Sequence, residues 1–181
     1  DGDQDPLWIV ASNGAVVFRY PPVDVVHEET FDAAPAVASV LAPYRTLRAM
    51  TVPATLDGGD VLRLGRTLFV GQSGRTSEAG IAQLRGFVEP LGYRVVPVAF
   101  SGCLHLKSAV TAIAEDLLLM NPAWVRKDAF PGVDALFVDE REPWGANALR
   151  IGETVVFPAQ FPRTADRVVA SLSAHDGPVW A

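Results

Sequence analysis

Residues 55–76 read TLDGGDVLRLGRTLFVGQSGRT. Alternating apolar positions on either side of Gly65-Arg66 predict two short strands, 60–64 and 67–71, joined by a tight turn. Helical spacing follows over 77–91, where Ile81, Leu84, Phe87, Val88 and Leu91 share one face, and 93–98 returns as a strand. The unit is strand, strand, helix, strand. It places two carboxylates around two glycines at the entry to its first strand and an arginine just beyond its second.

The same order recurs at low identity. Upstream, strands 7–11 and 15–19 flank the Ser12-Asn13-Gly14 turn, with helical spacing near 33–41 and a strand at 45–52. Downstream, strands 108–113 and 116–120 precede a short helix over 122–130 and a strand at 135–138. A fourth copy has strands 147–151 and 154–157 around Gly152-Glu153, a helix over 164–172 and a last strand from about residue 178. Units of this size cannot each bury their own helix and sheet, which favours an α/β fold with the repeats packed radially around a pseudo-symmetry axis. An ordinary α/β sandwich fits the same pattern.

The chain has 181 residues, 49% hydrophobic and 20% charged, the balance of a globular domain with a full core. Its apolar runs are far shorter than the roughly 20 residues needed to cross a bilayer. A net charge of −6 and the absence of a Lys/Arg cluster argue against nucleic acid or an anionic membrane as partner, which leaves small molecules. The single cysteine excludes an internal disulfide framework and fits a reducing, cytoplasmic compartment. His27, His105 and His175 are too scattered for a metal motif, and neither metal nor cofactor is expected. The start, DGDQDPLWIV, has neither Met nor a signal pattern and reads as the inside of a longer chain.

Five side chains stand out as candidates for chemistry, each with a structural alternative. In LHLKS, strand alternation puts His105 opposite Leu104 and Leu106 and on the same face as Cys103; it is either a general acid/base or a histidine with a backbone partner. Asp57 and Asp60 bracket Gly58-Gly59, either capping a turn or orienting a catalytic imidazole beside a glycine surface that a ligand can approach. Arg75 either clamps a substrate carboxylate or caps the entry to the helix. Asp5, before Pro6, is a turn residue or an anion facing a cationic substrate. Asp5 and Asp57 both sit where a unit's first strand begins.

Taken together, LDGGDVL, FVGQSGRT, LHLKS, ANALRIGETVVFPAQFPRT and the opening DPLWIV resemble the dimethylarginine dimethylaminohydrolases of the guanidino-group modifying, or pentein, superfamily. The resemblance covers essentially the whole chain. It implies a pentein-type α/β propeller of which about four of five repeats are present here, in one catalytic domain over 1–181 truncated at both ends. By position it implies His105 and Asp57 as catalytic residues, with Arg75 holding the substrate's α-carboxylate and Asp5 gripping its guanidinium. Gln4 and Asp60 join the substrate-binding set. Departures lie in DGD at the start and in YPPVDVVHEE, where Val25 stands in place of an arginine of some relatives. The family's nucleophilic cysteine belongs in a G-G-x-[ST]-C context beyond Ala181, so these 181 residues are expected to be inactive alone.

The chemistry implied is attack of a cysteine thiolate on the guanidinium carbon, protonation of the departing amine by His105, and hydrolysis of the thiouronium to citrulline. A methylated arginine or another guanidino compound is the expected small-molecule partner, and a homodimer is left open. Alternatives are an arginine deiminase, an amidinotransferase, or a non-catalytic pentein that binds without a nucleophile. Cys103 is a rival nucleophile by its place beside His105.

Overall fold

In a computed structural model the strand–strand–helix–strand unit is complete in its second and fourth copies and altered in its third, while the first is described only in its strands. The structure describes residues 9–12, 15–18, 23–26, 42–44, 46–173 and 179–180, the strands outside 47–173 by backbone alone. In the first unit β1 (Ile9–Ser12) pairs antiparallel with β2 (Ala15–Phe18), and β3 (Val23–Val26) pairs in parallel with β4 (Thr46–Ala49). Strand β3 was not expected. The predicted helix at 33–41 lies outside the described residues.

The second unit follows its pattern closely. Strands β5 (Val61–Leu64) and β6 (Thr67–Gln72) form an antiparallel hairpin, turning at Gly65 with φ +53°. Helix α1 (Glu78–Val88) carries the chain to β7 (Arg94–Ala99), which runs parallel to β6. Ser77 begins α1 by accepting from the Gly80 amide, and it also accepts from the Thr55 amide. The approach to the Asp57 loop is thereby tied to the start of α1, and Gln83 within α1 binds Thr51 through its side-chain amide.

The third unit departs from expectation on both sides of its hairpin, β8 (Val110–Ala112) with β9 (Leu117–Met120). Residues 101–105 bend instead of forming a strand, and Leu106–Ala109 is a single helical turn, α2. Gly102, at φ +80°, starts the bend; a Cβ there would lie 2.4 Å from the Trp124 ring. The helix expected over 122–130 reduces to turns and a 3-10 segment, Lys127–Ala129. Asn121 Oδ1 accepts from the Ala123 amide, offering the backbone a turn where the helix would begin, and Pro122 and Pro131 bound the stretch. Strand β10 (Asp134–Phe137) then pairs in parallel with β9. The fourth unit restores the pattern: β11 (Leu149–Ile151) and β12 (Thr154–Val156) antiparallel, helix α3 (Pro162–Ser173), and β13 (Val179–Trp180) parallel to β12.

Among the described residues the strands form five small sheets, and apolar clusters hold those of the second, third and fourth units to one another. One face of β5–β7 packs on α1 through Val61, Leu68, Ile81 and Leu84. The opposite face, with Leu62, Phe69 and Val98, meets Leu106, Leu118 and Phe130 of the third unit. A third cluster joins Leu117 and Leu119 to Val155, Val168 and Leu172 of the fourth. The first strands β5, β8 and β11 lie side by side, so successive units share a centre instead of forming two flat layers. Between these strands is an open cleft of about 820 Å³ with Lys107, Glu115 and Arg150 among its walls.

Candidate active site

The DGGD loop and the bend before α2 converge at the entry to β5. Asp57 has extended backbone (φ −102°, ψ 132°), and its Oδ1 accepts from the Gly59 amide at 2.7 Å, opening the 3-10 turn Gly58–Asp60. That leaves Oδ2 for other partners. His105 Nε2 lies 3.2 Å from it and Arg75 Nη1 3.7 Å, so one carboxylate oxygen stands between the imidazole and the guanidinium.

The imidazole is seated against glycine. A Cβ at Gly59 would fall 2.6 Å from both Cγ and Cδ2 of His105, a distance that no side chain tolerates without displacing the ring. Nε2 is buried and its approach to Asp57 is close without being a linear hydrogen bond. Proximity orients the pair, and catalytic hydrogen bonds commonly tighten only around a bound substrate. Arg75 is more than half exposed, so its ion pair with Asp57 contributes little energy and its fork stays available to a ligand.

The structure thus brings Asp57, His105 and Arg75 together from three separate loops. Gln4 and Asp5 lie outside the described residues. Asp60 differs from its expected place among substrate contacts. Its side chain is completely buried, and both oxygens are occupied: Oδ2 accepts from Ser73 Oγ at 2.6 Å and Thr76 Oγ1 at 2.7 Å, and Oδ1 from the Leu106 amide at 2.9 Å. No face of this carboxylate is turned toward a ligand.

Lys107 was not singled out from the sequence, although it lies in the quoted LHLKS. Burial holds its ammonium below the ordinary lysine pKa, against the pull of Asp57 and Asp60, which favour the charged form. Only its place in the fold, between the cleft and the two carboxylates, marks it.

Cys103 is on the same bend but is not activated. Its thiol donates to the His105 carbonyl across 3.2 Å, and burial pushes its pKa up, with Asp60 adding to the rise against the lowering effect of that hydrogen bond. A protonated thiol aimed at a backbone carbonyl is a poor nucleophile. In the intact protein Cys103→Ser should keep turnover within about threefold of wild type, because a hydroxyl can make the same hydrogen bond. Steady-state assays check this, and complete loss would restore Cys103 as nucleophile.

Known proteins share this arrangement of units. No family model matches the chain. The fold is pentein-type: it superposes with a TM-score of 0.77 on a mutant dimethylarginine dimethylaminohydrolase from Pseudomonas aeruginosa complexed with citrulline, at 21% identity, covering 92% of this chain and 66% of that one. An inosamine-phosphate amidinotransferase from Streptomyces griseus matches with a TM-score of 0.67 at 17% identity, over 99% of this chain and 67% of the other. In sequence, the chain is 37% identical over 171 residues to an N(G),N(G)-dimethylarginine dimethylaminohydrolase from Streptomyces coelicolor, covering 91% of this chain and 64% of the relative. The chain is thus similar over most of its length to a curated dimethylarginine dimethylaminohydrolase, and it spans a little under two thirds of that relative's length.

Proposed function

We propose that the protein containing this chain is an amidine hydrolase that converts N-omega-methylated arginine and water to citrulline and dimethylamine or methylamine. The observation that carries this reading is the placement of His105 Nε2 and Arg75 Nη1 on either side of Asp57 Oδ2, in a homologue of enzymes named for that reaction. Asp57, as the carboxylate, orients the imidazole and stabilises the imidazolium formed when His105 carries the extra proton. His105 gives a proton to the departing amine and then takes one from the water that completes hydrolysis. The attacking thiolate would come from a cysteine outside residues 1–181. Gln4 and Asp5 complete the set by resemblance, Asp5 beside the guanidinium, where a carboxylate localises the delocalised charge. We place the reaction in a single catalytic domain and, because the attacking group must be a free thiolate, in a reducing cytoplasmic setting.

Arg75 has a separable task in this scheme. It holds an α-carboxylate whose charge does not change during reaction, so its contribution is equal in ground and transition states. Arg75→Ala should raise KM by about 10–100-fold with much less effect on kcat, the scale of one charge-assisted contact. A fall in kcat at constant KM would contradict this placement.

The direct test is expression of the intact protein and measurement of citrulline and amine from asymmetric dimethylarginine, monomethylarginine and arginine. Dimethylamine release from the dimethylated substrate supports the proposal. Ammonia from plain arginine would identify a deiminase, amidino transfer to an added amine an amidinotransferase, and binding without turnover a non-catalytic pentein.

A further inference from the structure

We propose that Asp60 is a positioning residue that sets Asp57, Arg75 and His105 together through three separate hydrogen-bonded arms, and that the two hydroxyl arms act on different kinetic steps. The kinetic part rests on the hydrolase reading above; the geometric part does not.

The directions of the hydrogen bonds carry the argument. Ser73 Oγ accepts from the amides of Arg75 at 3.0 Å and Thr76 at 3.1 Å, which uses both of its lone pairs, and its one proton goes to Asp60 Oδ2. Thr76 Oγ1 accepts from the Asp57 amide at 3.0 Å and likewise donates to Asp60 Oδ2. The Leu106 amide, immediately after His105, donates to Oδ1. Every group that faces Asp60 is therefore a donor. A carboxylate accepts on both oxygens, whereas an asparagine would turn an amide NH2 toward either the two hydroxyls or the Leu106 N–H.

Each arm ends on a different part of the site. Through Ser73, Asp60 fixes the backbone of Arg75 and helps to hold the amide of Thr76. Through Thr76 it fixes the backbone of Asp57, and with it the oxygen beside His105. Through Leu106 it fixes the end of the bend that carries the imidazole. Substrate capture should depend on the first arm and proton transfer on the second.

The test uses the intact protein. Ser73→Ala should raise KM about tenfold with kcat within about threefold, and Thr76→Val should lower kcat about 10–100-fold with KM within about threefold, since each removes a hydroxyl that donates to Asp60 and accepts from backbone amides of the site. Thr76→Ser, which keeps the hydroxyl, should restore kcat, and Asp60→Asn should show both defects. Each hydroxyl variant removes one hydroxyl and leaves the Asp60 carboxylate in place, so the proposal stands or falls on these even where Asp60→Asn does not fold. A second readout is independent of turnover: the NMR signals of the His105 imidazole at one fixed pH, identified by their loss in His105→Gln. Their chemical shifts should change in Thr76→Val, where the Asp57 backbone loses its anchor, more than in Ser73→Ala. If the wild type hydrolyses no guanidino substrate, the functional reading fails and these shifts alone decide. Identical KM and kcat changes in the two hydroxyl variants, or His105 signals in Thr76→Val identical to wild type, would overturn the proposal.

Discussion

His105→Ala in the intact enzyme should lower kcat by about 10²–10⁴-fold, the contribution expected of a general acid and base. Asp57→Asn should cost about 10²-fold or more, because an amide facing Nε2 no longer stabilises an imidazolium and can select the wrong tautomer. The asparagine oxygen can still accept from the Gly59 amide, so the loss should come without unfolding. The two side chains meet at 3.2 Å and act as a unit. The double variant should therefore be no slower than His105→Ala alone. Steady-state kinetics on the three variants checks this, and losses that multiply would show that the residues work independently.

Gly59→Ala should be nearly as damaging although it adds one methyl group. The new Cβ would sit 2.6 Å from two ring atoms of His105 and 3.0 Å from its Cβ, so the imidazole must move. The same residue's amide holds Asp57 Oδ1, so the acid and the base are disturbed together. A misplacement of about 1 Å can reduce turnover about 10²-fold, and that is the expected fall in kcat. The thermal midpoint should drop by a few degrees at most, since the ring is partly exposed and can swing outward. Wild-type kcat in Gly59→Ala would mean that the seating of His105 on this glycine has no catalytic weight.

Much of the second and fourth units was legible in the sequence, since their signals are local. Alternation around Gly65-Arg66 specifies the β5–β6 hairpin, and the spacing of Ile81, Leu84 and Val88 behind a Ser77 cap specifies α1; neighbours within about four residues supply this information. Recurrence of that pattern pointed to units sharing a core, yet a sandwich remained an equal reading until β5, β8 and β11 were seen side by side. The same limit applies at the site. Asp57 and Asp60 stand three residues apart in one loop, and nothing local separates them. Their roles diverge because Asp60 is buried under donors up to 46 residues away, at Leu106, while Asp57 keeps an oxygen for His105. Around His105 the flanking Leu104 and Leu106 give the alternation of a strand, yet the segment is a bend. It is a bend because Asp60 takes the Leu106 amide and Trp124 packs on Gly102, and both contacts come from distant segments. Short-range pattern can specify the elements, whereas the division of labour between two like carboxylates depends on long-range partners and burial, which exist only once the units have packed.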